Sequence, residues 1–184
     1  MGKLSDLLLK RVKLAAIAAI ILFVIFGLSS LMPLGAAEAE ALTKELEGLM
    51  RGPLGLRMFF NNFFITMLSY LPFIGPCVMG YVIFHTGRYV GWLAAQTGMP
   101  SIVIVAFSIL TVYGVFEFLA YGLTVTESLT ISYYIVKARR LLKREIKILL
   151  ICIAITSLLL AIAAAIEASL IHLLEALKTQ NIFY

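Results

Sequence analysis

The sequence predicts an all-α protein, a polytopic transmembrane helical bundle of about five membrane-crossing segments in a single domain over residues 1–184. Hydrophobic residues make up 62% of the chain and charged residues 14%, against roughly half and a quarter in soluble domains. The apolar residues form long uncharged blocks, and the mean hydropathy is +1.03. Because one soluble core of this size cannot hide so much apolar surface, the pattern indicates a protein that is solvated by the lipid bilayer.

The first apolar block covers residues 14–34, about the 20 residues that a helix needs to cross the hydrocarbon layer. It is followed by Pro33 and Gly35, which we expect to end the helix. Four basic residues precede it: Lys3, Lys10, Arg11 and Lys13. They predict a cytoplasmic N-terminus at the cell membrane. The block is too long for a signal-peptide core, so we expect a retained anchor.

Residues 36–50 alternate Glu and Lys with Ala and Leu, which predicts a short amphipathic helix in the external interface. Its apolar stripe would consist of Leu42, Leu46 and Leu49.

Residues 58–96 are long enough to cross a bilayer twice as helix, and Pro72 to Pro76 interrupt them. We therefore predict spans near 55–71 and 73–96. A re-entrant pair of half-helices is the alternative, provided that other helices shield its backbone.

Two further spans are predicted near 101–126 and 148–170. Between them, segment 134–147 carries a basic face: Lys137, Arg139, Arg140, Lys143, Arg144 and Lys147. We place this segment in the cytoplasm. Because the N-terminus is placed there too, an even number of crossings must lie between the two regions. The spans 14–34 and 101–126 supply two, so residues 58–96 must cross twice or return on the same side. Two crossings make the C-terminus external.

Six polar residues fall inside or beside the predicted spans: Asn61, Asn62, His85, Arg88, Glu117 and Glu167. Polar groups at membrane depth are costly, so they mark functional candidates. Glu117 is the clearest, because a bare carboxylate there should bind a proton or a partner; a structural hydrogen bond between helices is the competing interpretation. For Glu167, an interface role competes with buried pairing.

Asn61 and Asn62 lie near the start of their helix, where we expect them to cap that helix or to hydrogen-bond to a neighbouring helix. Ligand binding is the alternative. His85 and Arg88 would be mid-span if 73–96 crosses, which favours a bend into a polar cavity.

Five glycines are predicted to permit close helix packing: Gly75, Gly80, Gly87, Gly91 and Gly114. The two cysteines, Cys77 and Cys152, lie in apolar segments and are expected to be buried small hydrophobes. The sequence contains no catalytic motif, so we expect no enzyme activity, no metal and no cofactor. The basic residues cluster at the ends of apolar blocks, which argues against nucleic-acid binding.

Four motifs follow one another in order: Asn61-Asn62, Gly87 with Gly91, Gly114 with Glu117 and Ala120, and Ile166-Glu167-Ala168. In order and spacing they resemble the stage II sporulation protein M family, polytopic membrane proteins of bacteria and archaea. The likeness covers roughly residues 14–170. The chain has Val112-Tyr113 where Pro-His is common in that family, so a role for that histidine does not carry over. It also has Thr86-Gly87 where the family commonly has Asn-Gly.

The resemblance implies a non-enzymatic membrane scaffold of the cell envelope that acts with partners, and we expect a homodimer or other membrane-protein partners. A permease-like membrane subunit that uses Glu117, with a separate cytoplasmic ATPase, is the alternative function. An accessory subunit of a larger membrane complex is a further alternative.

Overall fold

The computed structural model describes the backbone of residues 2–50 and 53–180, and the side chains of residues 6–44, 53–173, 176 and 177. Seven α-helices and no strand occur in these residues: α1 Gly2–Ser29, α2 Ala36–Met50, α3 Leu54–Ser69, α4 Gly75–Thr97, α5 Ser101–Leu110, α6 Val112–Lys137 and α7 Leu142–Gln180. A 3₁₀ turn at Arg139–Leu141 separates α6 from α7. The all-α prediction is confirmed.

Within these residues, two helical stretches are long and apolar enough to cross a membrane, Asp6–Ser29 and Arg139–Leu173. A third crossing results if Gly75–Thr97 and Ser101–Leu110, which are bent by 119° at their junction, count as one span. Two or three apolar helices that could cross a membrane are therefore present.

Helices α1 and α6 form the centre of the bundle and run antiparallel. Near one end, the ring of Phe118 stands edge-on to that of Phe23, with 5.5 Å between the centroids. One turn further along α6, Gly122 lies against Ala15 and Ala19 of α1. Because Gly122 has no Cβ, the two backbones approach closely and gain dispersion contacts along their length.

The start of α1, the end of α6 and the start of α7 meet at one end of the bundle, here called the basic end. Contacts among Arg11, Thr130 and Glu145 define it. The opposite end, here called the far end, contains the last turn of α1 at Ser29, which packs against Gly87 of α4.

Helix α3 runs from the far end to the basic end. Its Gly55 lies against Ala168, late in α7, and the Tyr70 hydroxyl at its other end is 2.7 Å from Thr156 Oγ1. Beyond α3, Ser128 of α6 donates a hydrogen bond of 2.7 Å to the Leu71 carbonyl.

Helix α4 returns from the basic end to the far end, beginning at Gly75 beside Ser128. Between α3 and α4 the chain turns at Phe73, which has a left-handed φ of 69°. The Phe73 amide donates to Ser132 Oγ at 2.7 Å, so α6 holds this strained residue in place.

Two predicted spans have other bounds in the structure. Helix α1 ends at Ser29 rather than at Pro33, because the hydroxyls of Ser29 and Ser30 bond back to carbonyls of the last turn and the chain then turns. The predicted span 101–126 is broken at Thr111, whose ψ of 121° is extended. The segment 134–147 is not one helix, since α6 ends at Lys137.

Four of the five predicted packing glycines do make close contacts: Gly75, Gly87, Gly91 and Gly114. The prediction for Gly80 was wrong, because no atom lies within 4 Å of the position that its Cβ would occupy. Cys77, one turn earlier on the same helix, is exposed, so the expectation of burial holds only for Cys152. Cys77 and Gly80 both lie on an outward face of α4.

Candidate functional site

A cavity of about 410 Å³ lies between α1, α3, α4, α5, α6 and α7. The cavity lies toward the far end of the bundle. Its lining includes Leu54 at the start of α3 and Tyr113 at the start of α6. Its volume lies within the range of about 300–1,000 Å³ that is usual for small-molecule sites. The polar groups on its wall are Asn61, Asn62, Glu117, Glu167, Arg57, Thr86, Ser108 and Tyr113.

Glu117 lies on the second turn of α6, just after the break at Thr111. Its Oε1 accepts a hydrogen bond of 2.7 Å from Asn62 Nδ2. The break allows α6 to begin beside the cavity, because Gly114 packs directly on the Ser108 carbonyl of α5. Glu117 thus makes the hydrogen bond between helices that the competing interpretation expects, and it also lines the cavity.

Glu167, on the outer part of α7, lines the same cavity and is partly buried. Two carboxylates from two helices therefore line one partly open cavity. The sequence allows either an interface role or a buried role for Glu167. In the structure it lines the same cavity as Glu117.

The two asparagines lie about two turns into α3, not near its start, because the helix begins at Leu54. Asn62 bonds to Glu117, while Asn61 lines the cavity with its side chain largely exposed. The prediction of bonding to another helix is therefore confirmed for Asn62.

Chemically, the cavity suits a positively charged guest. A carboxylate removed from water is costly unless a cation, a proton or several hydrogen bonds compensate it. Glu117 receives one hydrogen bond from a neutral amide. Arg57 also lines the cavity and is itself engaged in an interaction within the chain. Among the described residues, no group of three or more His, Cys, Asp or Glu side chains could hold a metal ion.

His85 and Arg88 lie near the middle of α4, as expected for a segment 73–96, but neither side chain lines the cavity described above. Because α1 ends early and Gly87 packs on Ser29, these side chains lie at the far end of the bundle. His85 Nδ1 and Arg88 Nη2 approach the exposed carboxylate of Glu38 on α2 at 3.7 Å and 3.6 Å. Arg88 Nε also donates to the Met32 carbonyl at 3.1 Å. These contacts tie α2 to α4.

A second polar cluster, at the basic end, escaped prediction. Arg11 of α1 is 7% exposed and lies between Glu127 of α6 and Glu145 of α7, both 0% exposed. Its Nη2 is 2.5 Å from Glu145 Oε2 and its Nε is 3.3 Å from Glu127 Oε1. It also donates to the Thr130 hydroxyl, and Arg144 reaches Glu145 from outside at 2.7 Å.

Glu127 is the least compensated member of this cluster. Neither of its carboxylate oxygens accepts a hydrogen bond from the described residues, so Arg11 is its main counter-charge. The sequence carries a signal for Glu127 alone, since it is the single charged residue within the run 118–136.

All six residues of the predicted basic face are exposed: Lys137, Arg139, Arg140, Lys143, Arg144 and Lys147. They surround the end of α6, the 3₁₀ turn and the start of α7. Of the predicted α2 stripe, Leu42 is partly buried, whereas the side chains of Leu46 and Leu49 lie outside the described residues.

No protein-family model, no curated protein and no solved structure matches this chain. The resemblance to the stage II sporulation protein M family therefore rests on the ordered motifs alone. What can be argued about function has to come from the cavity and the charges around it.

Proposed function

We propose that this chain is a permease-like membrane protein that takes a cation into the cavity between α3, α6 and α7. The single observation that carries the proposal is the meeting of two carboxylates, Glu117 and Glu167, on the wall of one cavity inside an apolar bundle. Intramembrane carboxylates beside broken helices are how many transporters build their sites. In this proposal Glu117 is the principal counter-charge and Asn62 holds it in position.

The proposal includes five crossings of the cell membrane, with the basic end in the cytoplasm. It is supported by the alternation of helix directions, since α1, α4 and α7 run toward the far end while α3 and α6 run toward the basic end. It is supported further by the exposed basic residues around the 3₁₀ turn, which the positive-inside rule assigns to the cytoplasm. The C-terminus is then external. At about 24 Å, α3 is short for a span and requires local thinning of the bilayer.

Cysteine accessibility tests this topology in a Cys77→Ala background, because the remaining Cys152 is buried. We expect Thr97→Cys to react with a membrane-impermeant maleimide in intact cells. Leu71→Cys, which is 45% exposed at the other end of the pair α3–α4, should react only after the membrane is permeabilised. Labelling of Leu71→Cys from outside would replace the two crossings with a re-entrant hairpin.

Reconstitution into vesicles tests the function itself. Proton, sodium and quaternary ammonium uptake would be measured with the purified protein, and at least one should exceed uptake by empty vesicles. Glu117→Gln keeps the side-chain volume and an oxygen that can accept from Asn62, yet removes the charge. Since a buried charge partner contributes about 2 kcal/mol or more to binding, apparent affinity should fall about 30-fold or more.

The matched control is Glu38→Gln, which neutralises an exposed carboxylate on α2 away from the cavity. Its uptake should equal that of the parent protein. Equal uptake by the parent and Glu117→Gln, or no uptake of any of the three cations above empty vesicles, would contradict the proposal.

The second candidate function is the non-enzymatic scaffold of the cell envelope that the stage II sporulation protein M resemblance implies. One feature favours it: Gly80 has open space around it, and together with exposed Cys77 it offers an outward face where a helix of a second copy could pack closely. A scaffold does not need the charge of Glu117, so the uptake experiment separates the two. A cytoplasmic ATPase, docked on the basic face, remains a proposed partner of the permease.

A further inference from the structure

Aromatic rings form much of the cavity wall. The ring centroid of Phe118 lies 5.8 Å from that of Phe26 and 6.2 Å from that of Tyr121, so the three rings make one connected cluster. All three residues line the cavity, as does Tyr113 at the start of α6. These aromatic residues therefore line the same partly open cavity as Glu117.

This combination favours one class of cation. An inorganic ion that sheds its water needs about six oxygen ligands. The described residues of the cavity offer two carboxylates, two amides and a few hydroxyls spread over a large wall, together with the guanidinium of Arg57, which is itself engaged within the chain. An organic ammonium carries its charge within an apolar shell. It is attracted by aromatic faces and by one carboxylate, and it needs no complete oxygen shell.

The size of the cavity points the same way. A volume of about 410 Å³ far exceeds what a bare metal ion or a proton requires, and it suits a small molecule of several carbon atoms. The side chains that enclose it are largely apolar, among them Phe26, Ile65, Ile83 and Phe118. A guest must therefore be apolar over most of its surface and positively charged at one place.

We infer that the cavity binds a small organic ammonium ion, with its charged group at Glu117 and its apolar groups against Phe118 and Tyr113. The inference rests on the proposed cation uptake and narrows it to a chemical class. Glu167 supplies additional negative potential from α7, and Asn62 fixes the carboxylate of Glu117 by its hydrogen bond.

Two probes of the same shape test the class of guest. Benzyltrimethylammonium and its neutral carbon analogue, neopentylbenzene, would be titrated into the purified full-length protein in detergent, and binding followed by calorimetry. We expect the ammonium to bind at least tenfold more tightly than the neutral analogue. The ratio of the two affinities is the readout, because a purely apolar cavity would favour the neutral analogue, whose binding removes no charge from water.

Three variants locate the binding. Glu117→Gln should bring the ratio close to one. Phe118→Leu should weaken ammonium binding about tenfold while leaving the neutral analogue nearly unchanged, since only the cation gains from the ring quadrupole. If Phe118→Leu does not fold, because its ring also packs on Phe23, Tyr113→Leu gives the same comparison. Phe64→Leu is the control, since that ring is 62% exposed and lies outside the cavity wall.

The outcomes separate this inference from the proposed function. Equal binding of the two probes to the parent protein, or a ratio that Phe118→Leu and Tyr113→Leu both leave intact, overturns the organic-ammonium assignment. If proton or sodium uptake still depends on Glu117 in that case, the cation permease stands with an inorganic substrate. If no cation effect depends on Glu117, both fall.

Discussion

Replacing Arg11 by alanine should lower the free energy of unfolding by about 3–5 kcal/mol, because removing one partner of a buried ion pair leaves the other charge uncompensated. Here two carboxylates lose their partner at once. Glu127 has no hydrogen bond from the described residues to replace the guanidinium, whereas Glu145 keeps Arg144. The measurement is thermal or SDS-induced unfolding of the purified protein in detergent.

Lys10→Ala is the matched control, since Lys10 precedes Arg11 on α1 and is exposed. It should change stability by no more than about 0.5 kcal/mol. A second comparison isolates the cause: Arg11→Met combined with Glu127→Gln and Glu145→Gln should regain part of the lost stability, because no buried charge is left behind. An Arg11→Ala protein as stable as Lys10→Ala would mean that the cluster contributes nothing.

Gly87→Leu should prevent α1 and α4 from packing at the far end, at a cost above about 3 kcal/mol. Even a Cβ at Gly87 would overlap the Ser29 hydroxyl and the Phe26 carbonyl, and a backbone atom cannot move aside as a flexible side chain can. We expect little folded protein in detergent, measured by gel filtration and by thermal unfolding of whatever remains.

Gly80→Leu is a control on the same helix, seven residues earlier. Open space surrounds that position, so leucine should be tolerated, and its higher helix propensity could add up to about 1 kcal/mol of stability. If the two leucine variants unfold alike, the contact between α1 and α4 is not what limits stability.

The sequence predicted the parts of the fold that depend on hydrophobic length. The apolar block 148–170 lies within α7, and all but the last five residues of the block 14–34 lie within α1. Glu117 was recognised because a charge inside an apolar block has few explanations. Asn62 was expected to bond to a neighbouring helix, and it does so with Glu117.

What escaped prediction depends on tertiary contact. No proline lies at the break at Thr111, and a threonine within an apolar run is usually helical. Arg11 and Glu145 each stand in a basic stretch, where a single residue gives no sign that it turns inward. Burial of such charges is decided by partners far along the chain, which composition and periodicity do not register.

The cluster at the basic end also bears on how the chain is made. Arg11 contacts residues 119 and 134 positions later in the chain. At synthesis rates of about 5–20 residues per second, Glu145 follows Arg11 out of the ribosome after on the order of 10 s. During that interval Arg11 lacks the second of its two carboxylate partners, because Glu127 is made earlier than Glu145. A chain that stops before residue 145 therefore has one carboxylate fewer to compensate Arg11 than the complete cluster has.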